Sequence, residues 1–303
     1  MSRKSTVVAP SNIALIKYWG TRDLGETLPF NPSFSMTLRE CTSRTTVTPF
    51  DGPEDVVLVR GSGGELEKAS AGFTDGVVQH LDRLRRWTGH EGRFRVATEN
   101  SFPMGAGMAS SASGFAALAL SFVASLGEEI DGETASRLAR RSGSGSAARS
   151  VMGGYVEWPA AGSDDGAASQ VFPASHWDLR DVVAILDTTE KKVSSRAGHK
   201  RAETSPYFET RLRELTGRLE EVRQAVATRD FGRLAPVVEE EAIDLHLIAM
   251  SSRPPVFYWL PGSVAVLRRV RELRRSGVEV CSTMDAGANV HLICTPAAEE
   301  RVV

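Results

Sequence analysis

Apolar residues recur along this chain with two periods, and the periods mark out its elements. Val77, Val78, Leu81 and Leu84 share one face at helical spacing, so residues 73–87 are predicted to form an amphipathic helix. Residues 114–126 are apolar all round, the pattern of a helix enclosed within a domain. Residues 133–141, 204–227, 231–250 and 264–276 read as further helices. Short runs rich in Val, Ile and Thr are predicted strands at 6–9, 35–38, 44–48, 56–60, 94–98, 154–158, 182–186, 278–284 and 290–294.

The stretch 20–32 is turn-rich and reads as a loop. Residues 159–174, rich in Ala, Gly, Ser and Asp, read either as an exposed hairpin loop or as a domain boundary. Residues 297–303 look like the opening turns of a helix, so the sequence is expected to stop within that element. Strands and helices are grouped rather than strictly alternating, which favours α+β over a doubly wound parallel fold. A length of 303 residues suits one large or two medium domains. A boundary is expected between residues 173 and 182, dividing the chain into 1–177 and 178–303.

Charge and cysteine content narrow the functional classes. With 36 Lys and Arg against 38 Asp and Glu, the net charge is −2. No bulk basic field therefore draws the chain to nucleic acid or a membrane surface, and any anion site must be a local cluster. Cys41, Cys281 and Cys294 are odd in number and lack CxxC spacing, which argues against a disulfide framework or a zinc site. Buried, reduced thiols in a cytoplasmic protein are expected. The basic start is followed by Pro10 and Asn12 rather than a signal-peptide core. The longest nearly apolar run, 114–126, is too short to span a bilayer.

The candidate chemistry centres on Pro103-Met104-Gly105-Ala106-Gly107-Met108-Ala109-Ser110-Ser111-Ala112. Two glycines let the backbone approach a ligand closely, and two hydroxyls follow where a helix should begin. Amide groups at a helix start favour anions, so the loop reads as a phosphate cradle. A tight turn with a capping serine is the competing reading. The loop lacks the lysine of a Walker A site. Four other stretches carry polar residues that a core would not need: Pro10 to Gly20, Ser142 to Ser150, Lys192 to Arg196, and Met284 to Val290.

Together these motifs resemble the mevalonate diphosphate decarboxylases of the GHMP kinase superfamily. Asn12-Ile13-Ala14-Leu15-Ile16-Lys17-Tyr18-Trp19-Gly20 is close to the family's N-I-A-x-I-K-Y-W-G, and residues 29–38 look like its L-P-x-N-x-S-x-S-x-T-L. The resemblance runs from Ala9 to Thr295. It implies two α+β lobes, the first like ribosomal protein S5 domain 2 and the second ferredoxin-like, with the site in the cleft between them. It also implies ATP and Mg²⁺, a 5-phosphorylated mevalonate as substrate, and a homodimer. Its phosphate-loop motif matches Pro103, Gly105, Ala106, Gly107, Met108, Ala109, Ser110 and Ser111, with Ser110 and Ser111 placed near ATP oxygens or Mg²⁺. Asp285 matches the catalytic acid and Lys17 the lysine beside it. Arg149 matches the carboxylate-binding arginine, supported by Asn12. Tyr18, Ser144, Ser195 and Arg196 match positions assigned to the 5-phosphate. Trp19 and His246 are expected in structural roles.

Three departures stand out. Thr21 occupies the place of a lysine associated with the terminal phosphate of a diphosphate, which brings 5-phosphomevalonate into consideration; Arg22 follows and is a candidate replacement. Ala288 replaces a proline, and His199 replaces a methionine. Two alternatives to the decarboxylase are a kinase that stops at the 3-phosphate and a non-catalytic metabolite-binding module. The presence of both Asp285 and Arg149 argues against each.

Overall fold

The computed structural model describes residues 3–61, 64–102, 110–159, 166–189 and 193–303. Its framework is a seven-stranded sheet built around one long strand. β1 (Ser5–Ile16) runs antiparallel to β4 (Ser33–Phe50), and between them lies a small hairpin of β2 (Thr21–Asp23) and β3 (Leu28–Pro29). The stretch 20–32 is therefore not wholly loop; Thr27 adopts a positive φ at its turn. The strands expected at 35–38 and 44–48 are one continuous strand. β1 pairs with β4 on both sides of a register shift, Pro10 opposite Thr42 and Ser11 opposite Leu38, so residues 39–41 bulge within one strand.

β5 (Val56–Arg60) and β6 (Leu66–Lys68) extend the sheet on one side through β7 (Arg93–Asn100), with β5 parallel to β7. On the other side β8 (Tyr155–Trp158) pairs with β4, and β9 (Ser169–Phe172) pairs antiparallel with β8. This pairing keeps both flanks of the stretch in the large sheet, which supports the hairpin reading; residues 160–165 lie outside the described residues.

α1 (Ala71–Thr88) follows the predicted periodicity, with Val77, Leu81 and Leu84 buried and Ser70 capping its first turn. α2 (Ser110–Ser125) packs on β1 and β4, and its all-round apolar character matches enclosure: Ala116, Ala117, Ala119 and Phe122 are buried. These residues join Val47, Val57, Phe94 and Val96 in one core cluster. α3 (Gly132–Arg140) is capped by Asp131, whose carboxylate accepts from the Thr134 amide at 2.7 Å. α4 (Ala147–Ser150) is a single turn after the Ser-Gly-rich stretch.

The second lobe holds a three-stranded antiparallel sheet in the order β10 (Arg180–Ala184), β12 (Val290–Cys294), β11 (Val280–Thr283). α5 (Ser195–Arg201) leads through a 3-10 turn into α6 (Phe208–Thr228). The helix expected from residue 204 starts at 208, because Pro206 pushes Ser205 into an extended conformation. α7 (Phe231–Ser251) contacts β11 and β1, and α8 (Pro261–Arg275) covers β11 and β12. The chain ends in α9 (Glu299–Val302).

One apolar cluster crosses between the lobes. Ile13, Phe34 and Met36 from the large sheet meet Leu215, Val238, Cys281 and Ile293 from the second lobe. This shared burial sets the lobes against each other at the end of β1. Cys281 and Cys294 are buried free thiols, whereas Cys41, expected to be buried, is only half-buried. No helix among the described residues is long and apolar enough to cross a membrane.

Candidate active site

A cleft of about 570 Å³ lies where β1 ends. Its wall takes Lys17, Tyr18 and Thr21 from the segment after β1, Ser111 from α2, and Ser144 and Arg149 from the Ser-Gly turn and α4. Ser195 and Arg196 of α5 and Asp285 after β11 complete it. Asn12 stands behind Arg149 instead of lining the cleft. The cradle positions from Pro103 to Ala109 lie outside the described residues; Ser110 is seen only as the first residue of α2.

Lys17 Nζ donates to Asp285 Oδ1 at 2.8 Å. The lysine side chain is 2% exposed and the aspartate 30%, so the pair is anchored from within while the carboxylate faces the cleft. Lys17 is fixed through its backbone as well. Its amide donates to Glu241 Oε1 at 3.1 Å, and its carbonyl accepts from Asn31 at 2.9 Å and from Arg211 at 3.0 Å. Glu241 is fully buried on α7 and also receives Arg211 and Arg218, so its charge is compensated twice. The turn carrying Asp285 is pinned in turn. Asn289 Oδ1 accepts from the amides of Leu186 and Asp187, and Ser263 Oγ donates to the Ala288 carbonyl at 2.7 Å.

Arg149 is buried, with Nε donating to Asn12 Oδ1 at 3.1 Å and Nη1 to Ser33 Oγ at 2.6 Å. Those bonds orient the guanidinium and leave Nη2 for the cleft. Asn12 is itself held by donation to Ser150 Oγ at 2.8 Å. Burial pushes the Arg149 pKa down to about 10, and the nearby Asp285 charge opposes that shift. The guanidinium thus remains charged at neutral pH in a poorly hydrated place, where attraction to an anion is strong.

Tyr18, Ser144, Ser195 and Arg196 all line the cleft. Burial raises the Tyr18 phenol to about 12, so it stays a neutral donor. Its hydroxyl shares a hydrogen bond with Thr21 Oγ1, and Arg196 lies close over Gly143. Ser144 Oγ is 3.3 Å from Ser111 Oγ and 3.2 Å from Ser146 Oγ. Arg22 is exposed and does not line the cleft, which removes it as the replacement for the absent lysine.

A second cavity of about 570 Å³ adjoins the first and shares Gly76, Ser111 and Phe115 with it. Its remaining wall is mainly apolar, including Phe73, Val96 and Leu118, with Thr98 and Asn100. This cavity has no local sign in the sequence, because its side chains read as strand and helix core. Glu241 and Ser33 were missed as supports for the same reason: their partners are remote in sequence. Trp19 is buried core. His246 is buried and hydrogen-bonded to the Asp285 backbone, as a structural histidine would be.

Among the described residues no group of three or more His, Cys, Asp and Glu side chains could hold a metal ion. A Mg²⁺ carried mainly by phosphate oxygens and water needs only one or two protein oxygens. The Ser111 hydroxyl and the Asp285 carboxylate, both on the cleft, are oxygens of that kind. The residues present fit such an ion.

Comparison with known proteins covers nearly the whole chain. The profile of the diphosphomevalonate decarboxylase-like N-terminal domain matches residues 9–170. That of the mevalonate 5-diphosphate decarboxylase C-terminal domain matches 182–303. The diphosphomevalonate decarboxylase of Ganoderma lucidum is 34% identical, over 97% of this chain and 78% of its own. A crystal structure of mevalonate diphosphate decarboxylase from Staphylococcus aureus superposes with a TM-score of 0.92 at 33% identity, covering 100% of this chain and 91% of that one. A structure described as MDDEF in complex with MVAPP, AMPPCP and magnesium gives 0.91 at 36% identity, covering 100% and 92%. The fold is the two-lobed GHMP kinase fold.

Proposed function

The chain belongs to the diphosphomevalonate decarboxylase family, and from that premise we propose that it turns 5-diphosphomevalonate into isopentenyl diphosphate, consuming ATP and releasing carbon dioxide. It is an ATP-dependent carboxy-lyase acting on a 5-phosphorylated mevalonate. The observation that carries the reading is that Asp285 and Arg149, from different lobes, line one cleft with Ser111. The MVAPP, AMPPCP and magnesium in the related complex support the same assignment of substrate, nucleotide and ion.

Bound ATP and Mg²⁺ supply a transferable phosphoryl group and neutralise its charge. The residues of this chain do the rest. Asp285, oriented by Lys17, accepts the proton of the substrate's 3-hydroxyl. An aspartate is a weak base for an alcohol, so the proton moves late and orientation is a large part of its contribution. Arg149 grips the substrate carboxylate with the fork that Asn12 and Ser33 aim. Once the 3-oxygen has bonded to the transferred phosphoryl group and ADP has been displaced, phosphate leaves C3 with the C–O electron pair, and positive charge develops there. The C1–C2 pair then forms the C2–C3 double bond as carbon dioxide departs. Tyr18, Ser144, Ser195 and Arg196 hold the 5-phosphate end. Ser110 and Ser111 serve the nucleotide phosphates and Mg²⁺, together with the cradle from Pro103 to Ala109. The second cavity is suited to the nucleoside by its apolar wall and its junction at Ser111.

Thr21 favours a second reading, 5-phosphomevalonate as substrate. Among the described lining residues, Lys17 is engaged by Asp285 and Arg149 is assigned to the carboxylate. Arg196 is then the cation left for the phosphate end. The proposal also takes the lobes as 1–177 and 178–303, the assembly as a homodimer, and the location as cytoplasmic.

A side-by-side assay with 5-diphosphomevalonate, 5-phosphomevalonate and mevalonate, scoring both ADP and carbon dioxide, tests this. ADP and carbon dioxide released in step from a phosphorylated mevalonate are expected. ADP without carbon dioxide would make the protein a kinase, and neither product would make it a binding module.

A further inference from the structure

His199 stands on α5 three residues after Arg196, so the two side chains share a helical face, and both line the cleft. The Gly20 amide donates to His199 Nδ1 at 3.1 Å. A ring nitrogen that accepts a hydrogen bond does not carry the proton, so the neutral ring holds its hydrogen on Nε2. Burial, reinforced by the Arg211 charge, lowers the ring's pKa to about 3 and keeps it neutral at physiological pH. Nε2 makes no hydrogen bond within the described residues. The His199 side chain is only partly buried and lines the cleft.

The ring is held in this orientation by its neighbours. It stacks on Tyr18 with centroids 4.0 Å apart and planes 27° from parallel, and its centroid is 4.7 Å from that of Trp19. Two glycines make the seat. Gly20 takes a φ of +99°, and a Cβ there would meet the Phe208 ring at 2.7 Å. A Cβ on Gly198 would come within 2.4 Å of the Trp19 ring. The missing Cβ on Gly198 lets α5 press against Trp19, and the missing Cβ on Gly20 keeps its turn clear of Phe208 on α6.

We propose that His199 is a specificity-determining residue whose Nε2–H donates to a phosphoryl oxygen at the 5-end of the substrate, beside Arg196 and the Tyr18 hydroxyl. The inference rests on the reading of the cleft as a phosphorylated-mevalonate site. A neutral, fixed donor adds a directional hydrogen bond to an anion without adding a cation. The bond is present in ground state and transition state alike, so its loss raises KM and leaves kcat nearly unchanged.

The test compares His199→Met, which keeps the bulk and removes the donor, with His199→Gln, whose amide nitrogen can replace Nε2–H. Binding of each phosphorylated mevalonate and of ATP is measured by calorimetry, with thermal melting as a check on folding. His199→Met is expected to weaken binding of the phosphorylated mevalonate about tenfold, the scale of one hydrogen bond to a charged group, with ATP affinity within about twofold. His199→Gln is expected to recover most of that loss. Wild-type affinity in His199→Met would overturn the proposal, as would equal losses for substrate and ATP in both variants. If the wild type binds a phosphorylated mevalonate but releases no carbon dioxide, the decarboxylase reading fails, while the binding comparison still decides the role of His199.

Discussion

Lys17 and Asp285 are 268 positions apart in sequence and 2.8 Å apart in the structure. The first follows the opening strand of one lobe and the second follows a strand of the other, so their ion pair joins the lobes at the cleft. It exists only when both lobes are folded and docked. Asp285→Asn removes the proton acceptor but preserves shape. Turnover is expected to fall by about 10²–10⁴, the usual contribution of a positioned acid or base, with the KM for ATP within about threefold. Steady-state release of ADP and carbon dioxide checks this, and near-normal turnover would remove Asp285 from the proton transfer.

Arg149 sits in a bed built for a guanidinium. Arg149→Lys keeps a charge but cannot satisfy Asn12, Ser33 and a carboxylate together. Carbon dioxide release should fall by at least tenfold. Arg149→Ala should lower it further and cost about 1–3 kcal/mol of stability, because Asn12 loses a buried partner. Single-turnover carbon dioxide release, read beside urea unfolding, separates the two effects.

Thr21→Lys places a cation next to Tyr18 at the phosphate end. A charged hydrogen bond is worth about 1.5–3 kcal/mol, so the preference for 5-diphosphomevalonate over 5-phosphomevalonate should rise tenfold or more. The ratio of kcat/KM for the two substrates measures it. An unchanged ratio means that Thr21 does not set the discrimination.

Glu241→Ala leaves Arg211 and Arg218 without their buried partner and frees the Lys17 amide. A loss of about 3–5 kcal/mol in urea unfolding is expected, with lower turnover in the protein that remains folded. A change below 1 kcal/mol would show that this network does not hold the cleft in place.

His291 Nδ1 lies 2.8 Å from Asp181 Oδ2 in the second lobe. Burial alone would lower the histidine pKa, but the Asp181 charge and hydrogen bond overcome it and raise the pKa above the usual value. A raised folded-state pKa contributes stability that is complete below the unfolded value of about 6.5 and is lost as pH rises through the folded one. The stability difference between wild type and Asp181→Asn should therefore shrink on going to alkaline pH. Urea unfolding across that range reads it, and a difference independent of pH would rule out a charged pair.

Much of this protein is written locally. The periodicity of Val77, Leu81 and Leu84, the apolar run in α2 and the Val-rich strands declare themselves over a few residues, because burial of one face imposes a short repeat. Lys17, Arg149 and Asp285 stand out in the sequence through motifs that resemble those of a known family, and the structure lines one cleft with all three. What only the tertiary structure decided is who meets whom. The continuity of β4, the Glu241 clamp, the tautomer of His199 and the second cavity all depend on which faces pack together across long separations. The apolar walls of a binding cavity have the same composition as a core, so their sequence cannot distinguish a filled space from an open one.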